Sequence, residues 1–290
     1  MTIMDYKILK DLNELYNKGA TPGDIQDALH LNGLIDADDG QRSFATRALP
    51  GYYSGNRKAK TVMVMLNPGC SVEIANNELM QDMKRRSMKN AIDFKHYHEW
   101  CVKFGHHDNE KMDNFDLKQA FFIRSWKDSG ISLPKNLCTE SDDQTKLDAK
   151  EIVLTQKLSL ELIPYASRTI NNLNPLKIHL LVPFMECVLD EIFSRQRKYV
   201  IFCSRKFHEI FKEYNAVYPD AVTFDKPEVS MGKIGNSDIT GTCSVITIHY
   251  KSHKPRKALI ANTFPHQALP NAYDLMELYG KFCYKEYPKQ

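Results

Sequence analysis

Three residues that follow an apolar strand, Asn67, Pro68 and Gly69, are the part of this sequence best suited to chemistry. The strand itself, residues 61–66, is apolar from its second residue onward, which is typical of a strand covered on both faces. A side-chain amide at a strand end can orient a water molecule, while a glycine beside it lets a ligand approach the backbone. The same residue types also form ordinary turns, so the segment alone leaves both interpretations open.

The elements that must position these residues are strands that alternate with helices. Strand-like segments occur at 61–66, 158–163, 198–203 and 258–261. Strands separated by helical patterns indicate βαβ units. We therefore expect an α/β fold: a three-layer αβα sandwich around a mainly parallel central sheet of about four strands. Ligands of such sheets bind beyond the carboxyl ends of the strands, which is where Asn67 lies.

The chain divides into an N-terminal segment and one larger unit. Residues 1–56 contain two short helical patterns and a loop, which we expect to pack on the core. Residues 57–290 are predicted to form a single α/β domain. A polar, helix-prone stretch at about 72–157 separates the first two core strands, so we expect a helical insertion there.

Composition excludes several classes of protein. The 290 residues carry 39 Lys+Arg against 36 Asp+Glu, a net charge of +3 that is too balanced to indicate nucleic-acid binding by itself. No apolar run is long enough to span a membrane, and the N-terminus lacks the apolar core of a signal peptide. We therefore expect a cytoplasmic protein. The seven cysteines are odd in number and scattered, which argues against a disulfide framework and against CxxC-type metal sites.

The segment 61–69, TVMVMLNPG, resembles the first motif of the uracil-DNA glycosylase superfamily, and most closely its mismatch-specific uracil/thymine branch. In that branch an apolar strand ends in a Gly-x-Asn-Pro-Gly loop, and Met65 stands here in place of the leading glycine. The segment 258–269 resembles the second motif, with Pro265 matching its proline and Leu269 matching the leucine that wedges into DNA. His266 then falls where the family usually has serine, or acts as the histidine of other branches.

The resemblance implies a monofunctional DNA glycosylase that hydrolyses the N-glycosidic bond of a damaged, mismatched or modified pyrimidine. Such an enzyme serves base excision, or defence against base-modified viral DNA. Asn67 cannot titrate, but its carbonyl can orient the attacking water. His266 is expected to form a hydrogen bond to the leaving base. The flipped-out base is expected to enter a pocket formed by Pro68, Gly69, Tyr53 and Tyr165.

DNA carrying a flipped-out nucleotide is thus the expected partner, and we expect a monomer that needs neither a cofactor nor a metal. Leu269 is expected to fill the gap left in the base stack. Phosphate contacts are expected from clustered basic residues. These residues are Lys251, Lys254, Arg256, Lys257, Arg85 and Arg86.

Two other interpretations remain open at the level of sequence. The loop 67–71 suits an anion cradle in a non-catalytic module that binds nucleotides or nucleic acid. Cys70 follows Gly69 where a helix can begin, and a helix N-terminus lowers a thiol pKa, so a Cys70-dependent hydrolase is the second alternative. The identity of the excised base is also open.

Overall fold

A seven-stranded mixed sheet forms the centre of the computed structural model. The structure describes residues 2–17, 22–31, 34, 44–46, 49–67, 94–103, 114–167, 173–236, 238–264 and 273–288. The strands are β1 (Tyr53–Gly55), β2 (Thr61–Met65), β3 (Leu158–Glu161), β4 (Tyr199–Phe202), β5 (Val222–Lys233), β6 (Thr240–Ile248) and β7 (Arg256–Ala261). Their order across the sheet is β1-β3-β2-β4-β7-β6-β5.

Four neighbouring strands, β3, β2, β4 and β7, run parallel and correspond to the four predicted strands. The α/β class is therefore confirmed. The expected size of the sheet is wrong, because three antiparallel strands lie outside the four parallel ones. β1 pairs with β3 on one side, and β6 and β5 follow β7 on the other. The three-residue β1 is too short to show a pattern, and β5 is mostly exposed and polar, so neither stands out in the sequence.

Helices pack against this sheet. Those before β3 are α1 (Ile3–Asn17), α2 (Pro22–Ala28), α3 (Phe94–Lys103), α4 (Asn114–Ile123) and α5 (Asp143–Gln156). Those after β3 are a 3-10 helix (Pro175–Leu181), α6 (Val182–Phe193), α7 (Phe207–Val217) and α8 (Tyr273–Glu286). The segment between β2 and β3 thus contains α3, α4 and α5, consistent with its helix-prone sequence. No helix within the described ranges has the length and apolarity needed to cross a bilayer.

Both faces of the parallel strands are buried. Val62 and Val64 belong to one apolar cluster, which also takes in side chains of α1, α6 and α7. Met63 and Met65 alternate with them and belong to a second cluster, formed with α4, α5 and α8. Since a β-strand directs successive side chains to opposite faces, a strand covered on both sides must be apolar throughout.

Because β2, β3, β4 and β7 run parallel, their carboxyl ends all lie on one side of the sheet. We call this side the carboxyl edge; it is formed by the last residues of these strands and the residues that follow them. The amino edge is the opposite side, where β2, β3, β4 and β7 begin. Along β7, from Arg256 to Ala261, the two edges are separated by about 17 Å.

An ion-pair network at the amino edge links three elements. The Glu191 carboxylate, at the end of α6, accepts hydrogen bonds from Arg57 Nε (3.0 Å) and Arg197 Nη2 (3.3 Å). Arg197 Nη1 also donates to the carbonyl oxygens of Arg57 and Ala59, both at 2.7 Å. Arg57 in turn pairs with Asp5 of α1 at 3.2 Å. The network therefore ties α1 to the segment between β1 and β2 and to α6.

A buried carboxyl in α1 makes the stability of this attachment depend on pH. Asp11 is fully buried and accepts a hydrogen bond from the hydroxyl of Tyr52. Burial raises the pKa of Asp11 to about 6, although Lys7 and the Tyr52 hydrogen bond act in the opposite direction. A carboxyl whose pKa is higher in the folded than in the unfolded state favours folding most when protonated, so stability is lost as pH rises through the folded pKa.

We expect the free energy of unfolding to fall by up to about 3 kcal/mol between about pH 4 and pH 7 because of Asp11. Asp11→Asn should remove this part of the pH dependence, since an amide does not titrate. Urea denaturation at several pH values measures it, with the exposed Asp143→Asn as the control. An unchanged pH profile in Asp11→Asn contradicts the assignment.

Candidate active site at the carboxyl edge

The side-chain amide of Asn67 is held in one orientation at the carboxyl edge. Its Nδ2 lies 3.3 Å from the main-chain oxygen of Tyr165 and 2.7 Å from Ser167 Oγ. A main-chain carbonyl can only accept a hydrogen bond, so the amide nitrogen must face Tyr165 and the amide oxygen must face away. Within the described residues, Asn67 Oδ1 has no hydrogen-bond partner. Asn67 therefore has an acceptor available for a water molecule or a ligand.

The two tyrosines expected in a base pocket are core residues. Tyr53 and Tyr165 are each 1% exposed and belong to the same apolar cluster as Val62. The hydroxyl of Tyr53 lies 2.7 Å from Nδ1 of His98. Tyr165 contributes its main-chain oxygen, rather than its ring, to the setting of Asn67. In this conformation neither ring presents a face on which a base could stack.

A second polar group at the carboxyl edge is centred on His208, which the sequence analysis missed. Its Nε2 lies 3.0 Å from Asn262 Oδ1 and 3.0 Å from Ser244 Oγ. Asn262 Nδ2 donates to Ser244 Oγ at 3.2 Å, and the Ser244 hydroxyl donates to the carbonyl of Pro227. The Asn262 oxygen can only accept, so Nε2 carries the hydrogen and Nδ1 is the acceptor of the neutral ring.

The fold explains why His208 lies at this edge. It is in the first turn of α7, which begins five residues after the last residue of β4, and its ring stacks on Phe224 of β5 at 5.1 Å. Asn262 directly follows β7, the neighbour of β4 in the sheet. The only sequence signal for His208 is its position in the first helical turn after a parallel strand. Its partners come from three other strands or loops, which no local pattern reveals.

Glu161 is the second residue that the sequence analysis missed. It is the last residue of β3, and it is the single charged residue within the apolar segment 160–163. That charge was the sequence signal that could have identified it. Its Oε2 is buried and has no hydrogen-bond partner within the described part of the chain. Burial raises the pKa of this carboxyl to about 8, with Lys157 acting in the opposite direction. Glu161 therefore keeps its proton at neutral pH.

Polar groups continue along the same face of β3. Lys157 is buried, and its Nζ donates a hydrogen bond to Ser159 Oγ. Burial lowers the pKa of Lys157 and raises that of the Cys203 thiol, which is a core residue rather than an activated nucleophile. Among the described residues, no group of three or more His, Cys, Asp or Glu side chains is arranged to hold a metal ion.

The basic cluster 251–257 lies at the amino edge, whereas Asn67 lies at the carboxyl edge. Arg256 donates to the main-chain oxygens of Ile192 and Arg195, both at 3.0 Å, and so caps the end of α6. Lys257 Nζ lies 2.7 Å from Asp225 Oδ2. β7 begins with these residues and ends at the carboxyl edge. A ligand bound by Asn67 is therefore separated from this cluster by the length of the strand.

The two other lysines of the cluster are more exposed. Lys251 lies 3.6 Å from Asp190 and over the ring of Tyr250, and Lys254 is exposed. Several residues of the sequence-based site lie outside the described residues, and their assigned roles stay predictions. These are Pro68, Gly69, Cys70, Arg85, Arg86, His266 and Leu269.

A pocket of about 530 Å³ lies at the amino edge, between the start of α1 and the end of α6. Its lining includes Arg57, Asp5 and Glu191. These three side chains form ion pairs together with Arg197, and the charges of the four sum to zero. The carboxyl edge instead carries a free amide acceptor, an oriented histidine and a buried protonated carboxyl. It is therefore the stronger candidate for an active site.

The hydrogen-bond network around His208 predicts a single neutral tautomer. We expect nitrogen NMR at high pH to show hydrogen on Nε2 of His208 in the unaltered protein. Asn262 and Ser244 both accept from Nε2, so the double variant Asn262→Ala with Ser244→Ala removes the acceptors that hold this tautomer, and the spectrum should change to a mixture of the two neutral forms. The exposed His179 serves as the internal reference, because it is remote from the replaced side chains. A spectrum of His208 that the double variant leaves unaltered contradicts the network.

Comparison of the chain with protein-family models, with curated proteins and with solved structures found no match. The geometry of the carboxyl edge and the motif resemblance are therefore the two grounds on which a function can be inferred.

Proposed function

We propose that this protein is a DNA glycosylase that hydrolyses the N-glycosidic bond of a damaged, mismatched or modified pyrimidine. The observation that carries the proposal is the fixed amide of Asn67, whose oxygen is available at the carboxyl edge. The motif resemblance points to the same residue, since an amide at this position can orient the attacking water. The proposal extends to a cytoplasmic monomer with a three-layer αβα domain over residues 57–290, an insertion at about 72–157, and no cofactor.

The proposed chemistry uses Asn67 as a positioning group. Breaking the N-glycosidic bond places positive charge on the sugar and negative charge on the departing base. An amide oxygen that accepts a hydrogen bond from water directs the water's lone pair toward the anomeric carbon. Because the orientation of the Asn67 amide is already set by Tyr165 and Ser167, no reorganisation is needed at that step.

His208 supplies a further hydrogen-bond acceptor to the proposed site. Its Nε2 hydrogen is held by Asn262, so a neutral His208 offers Nδ1 as an acceptor. Pyrimidines carry such donors, either the ring N3–H or an exocyclic amino group. In the proposed site, His208 thus favours a nucleotide that presents a donor. The donor expected for the leaving base's carbonyl oxygen remains His266.

The test of the function is incubation with oligonucleotides that carry uracil, G·T mismatches or modified cytosines. Formation of abasic sites supports the proposal. Binding without base release favours a non-catalytic nucleic-acid-binding module instead.

We expect Asn67→Ala to abolish base release in single-turnover assays while leaving folding and most DNA affinity intact. The variant removes the water-orienting oxygen but no core contact, since Asn67 is only half-buried. Asn56→Ala is the matched control, because Asn56 is an exposed asparagine at the amino edge. Release by Asn67→Ala at the rate of the unaltered protein removes Asn67 from the mechanism.

The position of bound DNA can be read from the salt dependence of binding. Arg205 follows β4 at the carboxyl edge, and its side chain is 70% exposed beside Glu228. If DNA lies at this edge, Arg205→Gln should lower the log–log salt slope by about 0.9, the value for one lost phosphate contact. Lys254→Gln, at the amino edge, should leave the slope unchanged. The reverse result places the DNA on the basic cluster 251–257.

A further inference from the structure

Glu161 is an ionisable residue at the carboxyl edge to which the proposed function assigns no role. Its Cα is the register partner of Met65, which precedes Asn67 by two residues. Neighbouring parallel strands lie about 4.8 Å apart, so Glu161 lies beside the segment that leads from Met65 to Asn67. One bound molecule can therefore contact both residues.

Main-chain hydrogen bonds continue this pairing beyond the ends of β2 and β3. Leu162 N donates to the Met65 oxygen at 3.0 Å, and Ile163 N donates to the Leu66 oxygen at 2.8 Å. Residues 66 and 67 form a bend, so Asn67 leaves the strand immediately after the last of these bonds. Glu161 and Asn67 therefore lie at the same end of two neighbouring chains.

The surroundings of Glu161 do not explain it as a structural residue. Its Oε2 is buried without a hydrogen-bond partner within the described part of the chain, an arrangement that costs folding free energy. The charged or titratable groups that face it are Lys157, which precedes β3, and the Cys203 thiol, which follows β4. The Lys157 ammonium is engaged by Ser159 and forms no ion pair with Glu161 among the described contacts.

Hydrolysis of the glycosidic bond requires a group that gives and takes a proton, and the Asn67 amide cannot do so. The bond between the sugar carbon and the base nitrogen breaks with its electron pair on the base, which then takes up a proton. The attacking water forms the new carbon–oxygen bond and must lose a proton. An amide performs neither transfer, because it does not titrate near neutral pH.

We propose that Glu161 is the proton-transferring residue of the Asn67 site. In the first half of the reaction its carboxyl proton passes to the departing base. In the second half the resulting carboxylate accepts the proton that the attacking water loses, which restores the starting state. One water is consumed, and the products are the free base and an abasic sugar. This inference rests on the proposed function and adds a second reacting residue to it.

The deciding experiment is the pH dependence of single-turnover base release from an oligonucleotide that the unaltered protein cleaves. The rate of the unaltered protein should fall as pH rises past about 8, where the Glu161 carboxyl loses its proton. Glu161→Gln keeps the size of the side chain but cannot transfer a proton. Its rate should be lower by about 100-fold or more and independent of pH over this range.

Two further variants separate a chemical role from a structural one. Glu151→Gln, at an exposed glutamate of α5, should match the unaltered protein in rate and in pH profile. Glu161→Asp keeps a titrating group but withdraws it by one methylene, so its rate should fall while the pH-dependent limb remains. Because Glu161 is neutral at pH 7, Glu161→Gln should melt near the temperature of the unaltered protein.

The outcomes distinguish this inference from the function on which it rests. If Glu161→Gln releases base at the unaltered rate and with the same pH profile, Glu161 has no part in the chemistry, while the glycosylase function stands. If Glu161→Gln does not fold, an unaltered rate in Glu161→Asp overturns the inference equally. If the unaltered protein releases no base from any oligonucleotide of the panel, both proposals are overturned.

Discussion

The burial of both faces of the four parallel strands is the constraint on which the rest of this structure depends. Val62 and Val64 face one apolar cluster, and Met63 and Met65 face the other. A side chain between two apolar layers loses its contacts with water, so polar groups are costly there unless they are paired or neutral. The interior of the sheet therefore holds the fold together, and the polar groups that can meet a ligand lie where strands end.

The two edges of the sheet satisfy this constraint in different ways. At the amino edge, Glu191 and the two arginines that bind it pair with one another and with main-chain carbonyls, which stabilises the attachment of α1. At the carboxyl edge, Asn67 and His208 are each oriented by neutral hydrogen bonds that leave one acceptor atom available. Charged side chains that pair with one another stabilise the fold, whereas an oriented polar side chain with an unused acceptor atom can bind a ligand. The proposed site follows from this difference.

The proposed role of Glu161 follows from the same constraint. A carboxyl at the end of a buried strand is desolvated, and the pKa rises because the charged form is disfavoured. The Lys157 ammonium lowers this pKa, but burial has the larger effect. In the proposed mechanism this carboxyl, at the same end of the sheet as Asn67, supplies the titrating group that the Asn67 amide lacks.

Local patterns in the sequence were sufficient for the α/β class, for the four parallel strands and for the placement of Asn67 at a strand end. Each follows from a contiguous apolar segment and the turn residues after it, so neighbours along the chain carry the information. Long-range contacts decided the rest. They decided the pairing of the outer antiparallel strands β1, β5 and β6 and the position of Arg256 at the amino edge. They also decided the burial of Tyr165 in the core and the partners of His208. Register and strand order bring such residues together, and no local pattern encodes them.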